Sequence, residues 1–92
     1  MRMTARGIVD RRKRYVGVIA HYDASGRVMP CSIEWDDGQV FEIDEVRDVR
    51  RAASLKTGGD GMRYTIRIKE NITYLFFEDP RWFVEEKVVE MP

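Results

Sequence analysis

The chain has ninety-two residues, 43% of them apolar and 11% aromatic, with one histidine, one cysteine and a formal net charge of zero. That composition suits one folded domain and argues against a disordered chain, a membrane span or a disulfide-stapled scaffold. With no secretory-type apolar core in its first residues, the chain is expected to be cytoplasmic, held together by its core with or without self-association.

The pattern is mostly period two, broken by Gly, Pro, Asp and Asn, and it predicts six strands. Residues 1–13 are set apart as a basic N-terminal arm, a solvated or disordered lead-in to a single β domain over residues 14–92. The first strand covers residues 14–23, with Val16, Val18, Ala20 and Tyr22 on one face. The second covers residues 27–35, with Met29, Cys31, Ile33 and Trp35 on its apolar face. A two-residue turn at Ser25-Gly26 sets Tyr22 opposite Met29, Ala20 opposite Cys31 and Val18 opposite Ile33. Pro30 has no amide to give a ladder and predicts an edge or a bulge nearby.

The third strand starts at Gln39 and runs to about Val49. A three-residue loop, Asp36-Asp37-Gly38, matches Ile33 to Phe41 and Cys31 to Ile43, with Gly38 in the left-handed position. After Asp44 the spacing turns to three, at Ile43, Val46 and Val49. A bulged strand continuing outward is preferred there, with a short helix capped by Asp44 as the alternative. Residues 56–61 form a glycine-rich loop whose spacing matches no phosphate-binding motif.

The cleanest alternation follows: Met62, Tyr64, Ile66 and Ile68 inward, Arg63, Thr65 and Arg67 outward. A three-residue loop at Lys69-Glu70-Asn71, with Asn71 left-handed, pairs Ile66 with Tyr74 and Tyr64 with Phe76. The last hairpin turns at Glu78-Asp79-Pro80-Arg81, with Pro80 at the second position of a type I turn, and pairs Phe77 with Trp82 and Phe76 with Phe83. The expected architecture is all-β: a six-strand antiparallel meander closing into a small barrel-like roll, with one short helix allowed after strand three.

This last hairpin is apolar on both faces. Tyr74, Phe76 and Phe83 go to the core in this register. Leu75, Phe77, Trp82 and Val84 are left over and become the candidate interaction face, covered by a protein partner, by a second copy in a homodimer, or by the chain's own N-terminal strand.

Other chemistry is sparse. A lone histidine and a lone cysteine assemble no several-ligand metal site, so no metal and no cofactor is expected, and the chain is read as a non-enzyme. Cys31 is expected inside as an inert thiol, and His21 as a half-buried or surface residue rather than a catalytic base. The acids Glu34, Asp36, Asp37, Glu42, Asp44 and Glu45 fit no calcium-loop spacing.

Charge is blocked along the chain: +5 over residues 1–14, −6 over 15–46, +5 over 47–69 and −4 over 70–92. Solvated outer faces account for this pattern. A sharper alternative is that Arg11, Arg12, Lys13, Arg14, Arg63 and Arg67 converge into an anion or nucleic-acid patch. Function is thus expected to be a binding or accessory module for a protein, with nucleic acid as the alternative and no membrane partner.

The string Trp35-Asp36-Asp37-Gly38-Gln39-Val40-Phe41-Glu42-Ile43-Asp44 is followed by Arg50-Arg51-Ala52-Ala53-Ser54, by Tyr74-Leu75-Phe76 and by Trp82-Phe83-Val84. This pattern resembles a group of small uncharacterised bacterial proteins known mainly as conserved hypothetical open reading frames. The resemblance spans about residues 14–89 and implies a bacterial cytosolic β-domain, with no activity or site residues to carry over.

Overall fold

The computed structural model describes residues 8–53 and 60–90. They form seven antiparallel strands: β1 (Ile8–Tyr22), β2 (Val28–Glu34), β3 (Val40–Glu42), β4 (Glu45–Ala53), β5 (Asp60–Ile68), β6 (Asn71–Glu78) and β7 (Arg81–Glu90). The sheet order is β3-β2-β1-β7-β6-β5-β4. The fold is all-β, a sheet curled toward a barrel, with no helix among the described residues. Residues 56–59 of the predicted glycine-rich loop lie outside the described residues.

The curl follows from connectivity. β3 and β4 are the two ends of the sheet order, yet only Ile43 and Asp44 separate them in the chain. The Ile43 amide donates to the Cys31 carbonyl at 2.9 Å, and the Asp44 amide donates to the Arg67 carbonyl at 2.9 Å. Two adjacent amides thus tie opposite ends of the sheet together. The predicted third strand is this whole segment, split at the joint, so seven strands stand where six were expected. Its spacing of three has a local cause. The pairing slips between Val46 and Asp48, leaving Arg47 as the extra residue of a bulge. The bulge puts Val46, opposite Ile66, and Val49, opposite Tyr64, on the same face.

β1 is shared between two partners. Ile8 to Val16 pair with β7, and Gly17 to Tyr22 pair with β2. The strand therefore starts six residues before the predicted one and takes in residues 8–13 of the basic arm.

The two glycine turns share one design. Asp23 bonds to Arg27 across Ala24-Ser25-Gly26, and Trp35 bonds to Gln39 across Asp36-Asp37-Gly38. The third loop residue is left-handed in both, Gly26 at φ 89° and Gly38 at φ 90°, where a side chain would be strained. The second turn is the predicted one, with Ile33 opposite Phe41. The first is one residue longer than predicted, which sets Tyr22 opposite Val28 and Ala20 opposite Pro30. A bulge at Cys31, beside Pro30, restores Val18 opposite Ile33. The same bulge leaves Cys31 exposed, correcting the buried thiol expected from simple alternation.

The larger correction concerns β5 and β6. Their loop is the two residues Lys69-Glu70, and Lys69, not Asn71, is left-handed at φ 56°. Tyr64 consequently faces Leu75, Ile66 faces Thr73 and Met62 faces Phe77. A one-residue slip in register sends every side chain of a strand to the other face. The last hairpin keeps its predicted pairs, Phe76 with Phe83 and Phe77 with Trp82. Its turn differs, because Pro80 stands third, after a cis Asp79–Pro80 bond.

The core lies on the concave side: Val28, Ile33, Tyr64, Ile66, Leu75 and Trp82, with Phe77 and Val84 packed against it. Ile66 and Leu75 are fully buried. The Tyr64 hydroxyl, inside the core, donates to the Val28 carbonyl at 2.7 Å, so the buried hydroxyl is satisfied. Burial raises the Tyr64 pKa above its ordinary value. Gly61 is close-packed against β6: a Cβ there would lie 2.9 Å from the Phe77 carbonyl oxygen, so the site admits glycine alone without backbone movement.

Candidate functional site: the convex aromatic face

The four residues expected to form an interaction face are the core itself. Leu75 is fully buried, Trp82 is 7% exposed, and Phe77 and Val84 are half-buried beside them. They are covered within one chain, by Val28 and Ile33 of β2 and by Tyr64 and Ile66 of β5. The physical reason is the β5–β6 register. Once Tyr64 faces Leu75, these residues point inward and Tyr74, Phe76 and Phe83 point outward.

The outward side of β1, β7, β6 and β5 is consequently aromatic. Phe76 and Phe83 stack at 4.9 Å with planes 4° apart. Tyr15 meets Phe83 edge-on at 5.7 Å, and Tyr74 meets Phe76 edge-on at 6.5 Å. The centre of this row is covered, with Phe83 only 3% exposed. Its flanks are open: Tyr15 is 41% and Tyr74 47% exposed.

Cations lie on these rings. The Arg81 guanidinium sits 3.9 Å from the Tyr15 ring, the Lys13 ammonium 4.6 Å from Phe83, and the Arg63 guanidinium 4.6 Å from Tyr74. Such contacts are each worth about 0.5–2 kcal/mol, more as they lose water. The Arg63 Nε is buried and has no hydrogen-bond partner among the described residues. Glu78 closes one end of the row, accepting from the Lys13 ammonium at 3.1 Å and from the Tyr15 hydroxyl at 3.0 Å. The bond from Lys13, then that from Tyr15, lowers the Glu78 pKa.

A carboxylate so lowered stabilises the fold above its ordinary, unfolded value, and the contribution is lost as pH falls through its depressed folded value. Glu78→Gln is expected to melt below wild type at neutral pH, and the gap is expected to close in acid. Thermal melts between neutral and strongly acidic pH read this directly. A gap that stays constant with pH contradicts the linkage.

The predicted basic patch does not form as one unit. Strand alternation sends Lys13 to the aromatic face and Arg14 to the other. Arg14 pairs with Asp36 at 2.8 Å and Glu86 at 3.0 Å, and lies 4.3 Å from the Trp35 ring. Arg12 is exposed on Arg14's side of the strand, and the Arg11 side chain lies outside what the structure describes. Arg63 and Arg67 share the outward face with Lys13. Arg67 is engaged by Glu45 at 3.2 Å and by the Lys69 carbonyl at 2.8 Å.

No family model, curated protein or solved structure matches the chain.

The aromatic row is visible in the sequence as residues, but the three-residue loop expected between β5 and β6 turns it toward the core. The element missed outright is Arg81, which the turn places over Tyr15 and which no basic run marks. Among the described residues, no group of three or more His, Cys, Asp and Glu side chains is placed to hold a metal ion. His21 is exposed, opposite Met29 in the β1–β2 ladder. No helix among the described residues is long and apolar enough to cross a membrane.

Proposed function

We propose that this chain is a small β-sheet binding module whose partner is a protein, docked on the convex face of β1, β7, β6 and β5. The observation that carries the reading is the aromatic row standing outside the filled core, with Tyr15 and Tyr74 open at its flanks. Aromatic residues mounted on a rigid surface are the usual anchors of protein interfaces. The face carries both signs of charge, Lys13, Arg63 and Arg81 beside Glu78 and Glu85, as a self-complementary two-fold surface needs. A second copy of the chain is therefore the partner of choice.

Sedimentation over rising protein concentration tests this. Wild type is expected to approach the mass of two chains, and Tyr74→Asp to remain at one while melting as wild type does. A wild type that stays monomeric at millimolar concentration excludes the self-association.

One observation favours a second reading, single-stranded nucleic acid. Arg63 and Arg81 lie on tyrosine rings and, among the described residues, neither has an ion-pair partner, a combination that suits bases and phosphates. The charge pairing weighs against it: Lys13 with Glu78, Arg67 with Glu45 and Arg50 with Asp48 would all have to open to phosphate. Binding of a labelled oligonucleotide at low salt, lost steeply as salt rises, would reverse the preference.

A further inference from the structure

The charges on the convex face do not balance within one chain. Among the described residues, its carboxylates on β4, β6 and β7 are Glu45, Asp48, Glu78 and Glu85. Glu45 pairs with Arg67 at 3.2 Å, Asp48 with Arg50 at 2.8 Å and Glu78 with Lys13 at 3.1 Å. Glu85, half-buried, has no cation partner among the described residues. Arg63 has no anion partner among them either, and it stands opposite Arg50 in the β4–β5 ladder. Like charges on facing strands are unfavourable. The Arg63 guanidinium is held 4.6 Å from the Tyr74 ring, and its Nε lacks an acceptor among the described residues. Arg81, unpaired as well, faces Glu78 across the β6–β7 ladder, so its charge is partly met.

The unmatched pair flanks one ring. Tyr74 faces Thr65 on β5, two residues from Arg63, and the β6–β7 register sets Glu85 on its other side. Glu85 and Arg63 thus belong to strands about 10 Å apart, and they do not meet in their own chain. β6 is the middle strand of β1, β7, β6, β5 and β4, and so the crest of the convex face. Two convex surfaces touch along their crests, where Tyr74 is open, and long side chains reach across the flanks. A two-fold axis along β6 lays Tyr74 on its own copy and β7 of each chain over β5 of the other. Given a second copy on the convex face, the reading on which this pairing rests, we infer that Glu85 of each chain pairs with Arg63 of the other. The two equivalent ion pairs make the contact selective for this chain. Matched charges of this kind fix orientation and turn away surfaces that lack the match.

Charge reversal followed by mixing is the test, read by sedimentation with thermal melts as the check on folding. Arg63→Glu alone sets two carboxylates against each other across the contact, and Glu85→Arg alone sets two guanidiniums together. Each variant is expected to self-associate at least about tenfold more weakly than wild type while melting near it. An equal mixture of the two restores both pairings between unlike chains, and it is expected to return to the mass of two chains. Glu85→Gln, which reverses no charge, is expected to weaken self-association by a smaller factor, and an unchanged affinity counts against the pairing. Self-association of either reversed variant at wild-type strength, or a mixture that stays at the mass of one chain, overturns the inference. If Tyr74→Asp is monomeric while the reversed variants associate as wild type does, the convex face stands and only the Arg63–Glu85 pairing falls. A wild type that is monomeric at millimolar concentration overturns the docking itself, and the pairing with it.

Discussion

Leu75→Ala is expected to cost about 2–5 kcal/mol, the range for truncating a buried leucine where neighbours collapse only in part. Leu75 is fully buried and faces Tyr64 across the β5–β6 ladder. A domain of this size has a total stability on the order of 5–15 kcal/mol, so the variant should approach the edge of folding. The melting temperature should fall by at least about 10 °C. Urea unfolding of the purified variant measures the loss. A loss under about 1 kcal/mol, typical of a surface site, would put Leu75 back on an outward face.

Phe83→Ala should cost a comparable amount, about 3–5 kcal/mol, although Phe83 lies on the opposite side of the sheet. The ring is 3% exposed because Phe76 covers one side, Tyr15 meets its edge and Lys13 lies over it. The convex face thus contains a small packed cluster of its own, with tyrosines open around it. Tyr74→Ala, by contrast, removes a ring that is 47% exposed, and it should cost under about 1 kcal/mol. Paired denaturant curves of the two variants test the distinction. Equal, small losses would mean that the outward row is not packed at all.

Local turn chemistry was the most legible part of this sequence. Asp36-Asp37-Gly38 set its hairpin correctly because glycine at the left-handed position and the match of Ile33 to Phe41 agree. The β5–β6 loop is not legible locally because its determinant lies elsewhere in the chain. The Lys69 amide donates to the Asp44 carboxylate, at 2.6 Å, and the Lys69 carbonyl accepts from Arg67. Asp44 belongs to the joint between β3 and β4, so contacts across the fold hold a lysine in a conformation that local propensity assigns to Asn71. The apolar pattern was no safeguard. Residues 72–77 are apolar on both faces, and a slip by one costs no visible mismatch. In the first hairpin, a longer turn and the bulge at Cys31 offset each other, so Val18 still faces Ile33 while the residues between them do not fit the simple ladder. The candidate face depends on this one register: it turns Leu75, Phe77, Trp82 and Val84 inward and Tyr74, Phe76 and Phe83 outward, the reverse of what the local pattern implies.

The sharing of β1 between two partners has a kinetic consequence. Its second half pairs with β2 across a short turn, while its first half pairs with the far end of the chain, Val9 opposite Val89 and Tyr15 opposite Phe83. Hairpins β5–β6 and β6–β7 close loops of two residues and can form early. The β1–β7 ladder must first confine most of the intervening polypeptide, at an entropy cost that no local turn reduces. It is therefore the expected last step of assembly, with folding on the millisecond-to-second scale of sheets built from non-local pairs. Until that step is complete, the Phe76–Phe83 stack of the last hairpin stands without its β1 neighbours, since Tyr15 lacks both Phe83 and Arg81 and Phe83 lacks Lys13, so the aromatic face is finished only as the chain completes its folding.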